Sequence, residues 1–338
     1  MGETMLKRAA AFFAVILLFF SHVSRAYADT NRTFFAMDTV MSIYAPGAAD
    51  TLLDECAELV TALEEKLSVT DGESQIARLN AGESVSLDSQ VRGLLTFALA
   101  MCARTDGALD ITLYPIVRAW GFTTGEYRVP AEAEIKELLQ YVDYSALSLT
   151  EDSATLPDGV MIDFGSIAKG YASDELARLL QDNGIGSALI DLGGNVYCVG
   201  KKENGSDWRI GIADPEGNGT IAVVTASDCA IITSGAYERY FESGGVRYGH
   251  IFDPKTGYPV SGDLVSVTVI GKSGAVCDAL STALFVMGTE KACAWLQQSA
   301  DVEALLLNGD GIYATEGLRD ILRISDAYAD MPLQWIER

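Results

Sequence analysis

After Gly184 the chain carries four runs of strand character, Ala188 to Leu192, Trp208 to Ile212, Ile221 to Thr225 and Val265 to Ile270, several of them joined by connections too short for a helix. A parallel neighbour needs a crossover of a dozen or more residues, so closely spaced strands pair mainly antiparallel. That excludes a doubly wound parallel sheet and places the chain in the α+β class.

Helical spacing dominates elsewhere. Leu52, Leu53, Cys56, Leu59, Val60 and Leu63 fall on one face of Ala49 to Leu67, and Ser89 to Arg104 and Pro130 to Tyr141 repeat the pattern. Phe34 to Tyr44 reads as a strand ahead of the first helix. Val160 to Asp163 reads as strand, Phe164 to Ser166 as turn, and Ile167 to Asn183 as helix with Gly184 in the C-cap position. No Pro/Ser-rich linker, low-complexity tract or repeat divides residues 29–338, which are expected to form one unit of two lobes.

The first 28 residues read as an export signal. Lys7 and Arg8 precede the apolar run Ala9 to Phe20, and Ala26-Tyr27-Ala28 supplies small residues for cleavage before Asp29. The run is shorter than the roughly 20 residues that cross a bilayer, and no cysteine beside Ala28 offers a lipid anchor. The expected location is periplasmic or otherwise extracytoplasmic. Cleavage removes Lys7, Arg8, Arg25 and Glu3, a net +2, and takes the chain from −23 to −25. So acidic a surface repels nucleic acid, and a phosphate-bearing ligand must be held locally, by a metal, backbone amides or a few placed cations. The six cysteines lack metal-type spacing and read as small buried hydrophobes, although export would permit disulfides.

Four segments have the residues for chemistry. Asp163 to Gly170 puts a carboxylate at a strand end, a glycine where backbone can approach a ligand, and Lys169 in a first helical turn whose free amides attract phosphate. It reads equally as an ordinary capped helix with a surface lysine. Asp278 and Thr282, four apart, place two oxygens on one helix face, a donor set suited to Mg²⁺, although spacing alone fits a helix-start Asp and a back-bonding Thr better. His250, the one histidine beyond the signal, stands by Asp253 in a Pro/Gly-rich loop, a setting for a general base. Thr233 to Phe241 lines a pocket or folds a hairpin.

Taken in order, these segments resemble the ApbE family of FAD:protein FMN transferases. The resemblance rests on Met37-Asp38-Thr39, Ser74 to Asn80, Gly107 to Asp110 with Trp120-Gly121-Phe122, Asp163 to Tyr171, Asp191 to Asn195, Thr233-Ser234-Gly235 with Tyr237 to Tyr240, His250 to Pro259, and Asp278 to Leu284. It implies a two-lobed α+β domain, related to the T-fold, with mainly antiparallel sheets, flanking helices and FAD in a cleft. It implies Mg²⁺ held by Asp278, Thr282 and the Ser166 position. Met37, Ala108, Leu109, Asp110, Asp163, Lys169 and the backbone near Phe252 would contact FAD. His250 would deprotonate a Ser or Thr hydroxyl on a redox protein carrying a Ser/Thr-Gly-Ala-Ser/Thr type motif, with Asp253 next in line, and AMP would leave. An FAD pyrophosphatase on the same site, a flavin-binding protein without turnover, and an exported adhesion module are the other readings. Asp38 stands where the family has Gly, Gln75 where it has Glu, and Thr70 where many members carry an aromatic residue.

Overall fold

The computed structural model describes residues 30–150 and 153–338, so the export signal and Asp29 lie outside the described residues. Its strands are β1 (Asn31–Ala36), β2 (Thr39–Tyr44), β3 (Ser187–Leu192), β4 (Asn195–Gly200), β5 (Trp208–Ala213), β6 (Thr220–Ala226), β7 (Cys229–Gly235), β8 (Tyr240–Ser243), β9 (Val246–Gly249), β10 (Leu264–Gly271), β11 (Val302–Asn308), β12 (Ile312–Thr315), β13 (Leu322–Ile324) and β14 (Leu333–Ile336). A two-residue ladder joins Ser148–Leu149 to Ala154–Thr155. The α-helices are α1 (Asp50–Leu67), α2 (Gln75–Asn80), α3 (Ser89–Arg104), α4 (Tyr114–Ala119), α5 (Glu132–Leu138), α6 (Ala168–Asp182) and α7 (Gly274–Gln297).

Among the described residues the principal sheet has nine strands in the order β1-β2-β3-β4-β7-β10-β11-β12-β14. Every pair in it is antiparallel except β12 with β14. The α+β expectation holds. Helices α1, α3, α6 and α7 cover one face, where Leu53, Val60, Leu95, Leu176 and Leu284 are buried with Ile43, Ile190 and Val269 of the sheet. A three-stranded sheet, β13-β6-β5, lies over the other, closing a second core around Cys198, Ile212, Val224 and Leu305. With both faces covered, β10 and β11 are apolar almost throughout rather than alternating. Each fully buried Leu, Ile or Val contributes about 1.5–3 kcal/mol.

A third, smaller core makes the other lobe. Ile116, Trp120, Phe122, Ile135 and Phe252 are buried there, with Phe241 and Tyr248 of the β8–β9 hairpin packed against them. The Trp120 ring lies 5.2 Å from Tyr248 and 5.7 Å from Phe252, and its Nε1–H donates to the Gly257 carbonyl at 3.0 Å.

Two elements differ from expectation. Phe34 to Tyr44 is a hairpin, because the chain reverses at Met37 and Asp38 with φ of 47° and 60°. Two successive left-handed residues are what a two-residue I′ turn needs, but the sequence lacks its usual Asn-Gly signature. The Met37 N–H donates to Glu64 Oε1 of α1 at 2.9 Å, which holds the turn. The 60° at Asp38 also explains why a Gly is usual there: Asp tolerates that region at some cost. Val160 to Asp163 joins no ladder. Instead the Asn80 side chain takes a strand's place, donating from Nδ2 to the Ile162 carbonyl and accepting the Ile162 N–H at Oδ1, both at 2.8 Å. Gln75 likewise exchanges two bonds with Asp88: its Nε2 donates to the carboxylate at 3.1 Å and its Oε1 accepts the Asp88 N–H at 2.9 Å. A glutamate there would set two carboxylates together, so Gln75 suits this chain.

Candidate active site

The site is built where α6 crosses α7. A Cβ on Gly170 would lie 2.2 Å from the Gly274 carbonyl oxygen, and one on Gly274 would lie 2.4 Å from that of Gly170. Glycine at both positions therefore brings the two backbones together. Across the contact, the Asp174 carboxylate accepts from the Ser273 hydroxyl at 2.8 Å and from the Gly274 and Ala275 N–H groups, capping α7. One turn further along α7, Asp278 Oδ2 accepts the Gly170 N–H at 2.8 Å.

Asp278 is 4% exposed, not the open cleft carboxylate that its place in a ligand set suggests. Burial pushes its carboxyl up, opposed by the Lys169 charge and the Gly170 N–H. Lys169 in the first turn of α6 is thus repaid by the carboxylates around it rather than by the helix dipole. Asn195, at the start of β4, is buried beside Asp278. Its amide favours the ionised carboxylate, yet Nδ2 makes no hydrogen bond of good geometry. The Ser281 hydroxyl donates to the Asp278 carbonyl at 2.9 Å and lies 2.8 Å from Ser234 Oγ of β7, whereas Thr282 Oγ1 is held only at 3.4 Å from Ser234. Ser166 is half-buried in the turn before α6, where the Ile167 and Ala168 N–H groups both donate to the Phe164 carbonyl.

His250 stands at the edge of the aromatic lobe, its ring 6.5 Å from Phe122. Nδ1 lies 3.2 Å from the Arg239 carbonyl, which can only accept, so Nδ1 bears the proton and Nε2 presents a lone pair. Burial, with Arg239 and Lys169 adding positive charge, pushes the imidazolium down to about 4, so the ring is neutral at neutral pH. Glu238, between β7 and β8, faces Lys169 as well. Its carboxyl is pushed up to about 7 by desolvation, with Lys169 opposing and Asp278 adding, while the residue stays open to solvent on one side.

The remaining expected contacts differ in what they leave free for a ligand. Burial raises the Asp163 carboxyl to about 6; its Oδ1 accepts the Gly165 N–H at 2.8 Å, and its own N–H donates to the Ile111 carbonyl at 3.0 Å. That bond ties it to the Ala108-Leu109-Asp110 stretch. Asp110 itself is committed to the fold, accepting from the Thr112 N–H and hydroxyl at 2.8 and 2.6 Å, and Leu109 points into the main core. Phe252 is buried, leaving only its backbone for a ligand. Met37 is half-buried, and Thr39 beyond it packs against Gly193 in the turn that leads to Asn195. Asp253 caps its own turn through the Lys255 N–H at 2.8 Å. Asn195, Ser281 and Asp174 carry no local sequence signal as site residues, and Glu238 stands out in the sequence only as part of the polar Thr233 to Phe241 segment.

These features define an α+β protein in which the Asp278 and Glu238 carboxylates and a neutral imidazole gather around Lys169. A family model described as the ApbE family matches residues 37–306, and the chain belongs to that family. It is 36% identical over 297 residues to the FAD:protein FMN transferase of Treponema pallidum, covering 81% of this chain and 82% of that protein. The Vibrio cholerae FAD:protein FMN transferase is 33% identical over 296 residues, 83% of this chain and 88% of the relative. Among solved structures, the flavin transferase ApbE from Vibrio cholerae superposes with a TM-score of 0.78 at 30% identity, covering 86% of this chain and 98% of that one. The ApbE protein from Thermotoga maritima gives 0.77 at 32%, covering 89% and 98%.

Proposed function

We propose that this protein is an exported enzyme that transfers FMN from FAD to a Ser or Thr hydroxyl of a redox protein, releasing AMP. The observation that carries the reading is the gathering of a neutral His250 and the Asp278 carboxylate around Lys169, with Thr282 one turn along α7 from Asp278. A hydroxyl is a poor nucleophile until a base takes its proton, and His250 Nε2 has a free lone pair for it. The alkoxide attacks the FMN phosphorus, and the phosphoanhydride bond to AMP breaks. Lys169 offsets negative charge on the pyrophosphate, and Asp163 and the Ala108–Asp110 stretch border the flavin side.

The donor set fits Mg²⁺. Asp278 has an oxygen beyond the one bound by Gly170, the Thr282 hydroxyl is held loosely, and the buried Asn195 Nδ2 beside Asp278 lacks a hydrogen bond of good geometry. With one carboxylate and neutral oxygens, Asp278, Thr282 and the Ser166 position would hold a hard, partly hydrated cation. When bound, Mg²⁺ supplies neutralisation of charge on the transferring phosphoryl group. The acceptor is an exported or membrane-bound redox protein with a Ser/Thr-Gly-Ala-Ser/Thr type motif, and the N-terminal signal carries the enzyme to the same extracytoplasmic compartment.

The test is mass spectrometry of FAD, Mg²⁺ and the protein with and without a protein bearing that motif. Covalent FMN on the motif, with AMP released, supports the reading. FMN and AMP formed equally without an acceptor would instead make the protein a pyrophosphatase, and unchanged FAD a binding protein.

A further inference from the structure

Cys198 and Cys229 are directly opposite partners in the β4–β7 ladder, at the end where Asp228 turns the chain into β7. Directly opposed residues of an antiparallel pair point to the same face, with Cα atoms about 4.5–5.5 Å apart, inside the range a disulfide spans without backbone movement. Their surroundings agree: Cys198 is buried in the core under the three-stranded sheet, and Cys229, half-buried, packs against that same core. Cys277 on α7 also lies near enough to Cys229 to feel its charge, but it belongs to the main core on the other face of the sheet, as do Cys56 and Cys102, with Cys293 packed against that core.

We infer that Cys198 and Cys229 form a cross-strand disulfide, closed when an external disulfide such as oxidised glutathione, or the active-site disulfide of a thiol oxidoreductase, reaches Cys229. The Cys229 thiolate attacks that disulfide and expels one thiolate. The Cys198 thiolate then attacks the Cys229 sulfur and expels the second. Two protein thiols lose two protons and two electrons, and the oxidant becomes two thiols. Burial raises both thiols, so exchange in the finished fold is slow and closure belongs to folding, while the strands are pairing. The bond joins the strand that starts at Asn195 to the one that carries Ser234, at the end of each strand away from those side chains.

The full chain is unfolded in denaturant under reduction and refolded with a glutathione redox pair, then digested without reduction. A linked peptide joining Cys198 to Cys229, lighter by two hydrogens than its parts, is expected, and Cys229→Ser abolishes it. The oxidised protein melts higher than the reduced one, by on the order of 5 °C for a loop of this size. Six free thiols after refolding, a stable glutathione adduct on Cys229, a link from either residue to another cysteine, or a lower melting point for the linked form would each overturn the inference.

Discussion

Gly170→Ala tests the claim that close helix approach builds the site. The new Cβ would stand 2.2 Å from the Gly274 oxygen and 2.6 Å from Asp278 Cβ, and the first of these is backbone that no rotamer change can move. Restoring an ordinary C···O contact of about 3.3 Å requires α6 to retreat from α7 by about 1 Å. The Gly170 N–H to Asp278 bond, 2.8 Å now, would then open to about 3.8 Å, beyond hydrogen-bond range. Overpacking costs about 1–3 kcal/mol and a hydrogen bond to a charged group about 1.5–3. The expected loss is about 3–5 kcal/mol, read as a lowered urea midpoint, together with a raised Mg²⁺ requirement for FMN transfer. Gly93→Ala is the control. Gly93 is exposed in α3 with open space around its Cβ position, so alanine there should stabilise by about 0.5–1 kcal/mol. A Gly170→Ala protein within about 0.5 kcal/mol of the parent, with unchanged metal dependence, would refute the argument.

Asp38→Gly should stabilise the protein by about 0.5–1 kcal/mol in the same denaturation assay, because glycine accepts the left-handed turn that Asp38 strains to hold. Asp278→Asn keeps the shape and removes the charge. Transfer should fall by roughly a hundredfold or more and lose its response to added Mg²⁺, with FAD consumption and circular dichroism as readouts. His250→Ala should slow covalent FMN attachment by roughly a hundredfold while fluorescence titration shows little change in FAD affinity. His250 also has a pH signature. Unfolded, it takes a proton near its usual 6.5, folded only near 4, so between these values the unfolded chain binds more protons and stability falls as pH falls. The difference in stability between parent and His250→Ala should therefore shrink on acidification through that window, and a constant difference would contradict the shift.

The short links after Gly184 were legible as an antiparallel sheet because loop length constrains topology regardless of what packs nearby. The helices were legible for a similar reason, since Leu52 to Leu63 encode one buried face locally. The hairpin at Met37–Asp38 was not. Its turn is imposed from outside, by Glu64 from α1 and by Thr39 against Gly193, while the residues themselves disfavour it. The same holds for Ile162, whose ladder partner is the side chain of Asn80, 82 residues away. At the site, motif order picked out Asp278, Thr282, Lys169 and His250. The burial of Asp278 and the convergence of Asn195, Ser234 and Ser281 come from α7 packing on β7, a contact no local pattern records.

His250 and Asp278 rest on different hydrophobic cores. His250 follows the β8–β9 hairpin that packs on Trp120 and Phe122, whereas Asp278 sits on α7, whose Cys277, Ala279 and Leu280 belong to the large core beneath the nine strands. The aromatic core is much the smaller and so has the least apolar area to keep it closed. Regions with little buried contact open first on warming, ahead of the global transition. Heat should consequently silence this enzyme in stages: catalysis is lost when the small lobe loosens, while the sheet and its acidic surface stay folded and soluble. Cooling is then expected to restore turnover once the small lobe closes again, well before the large sheet would have had to refold.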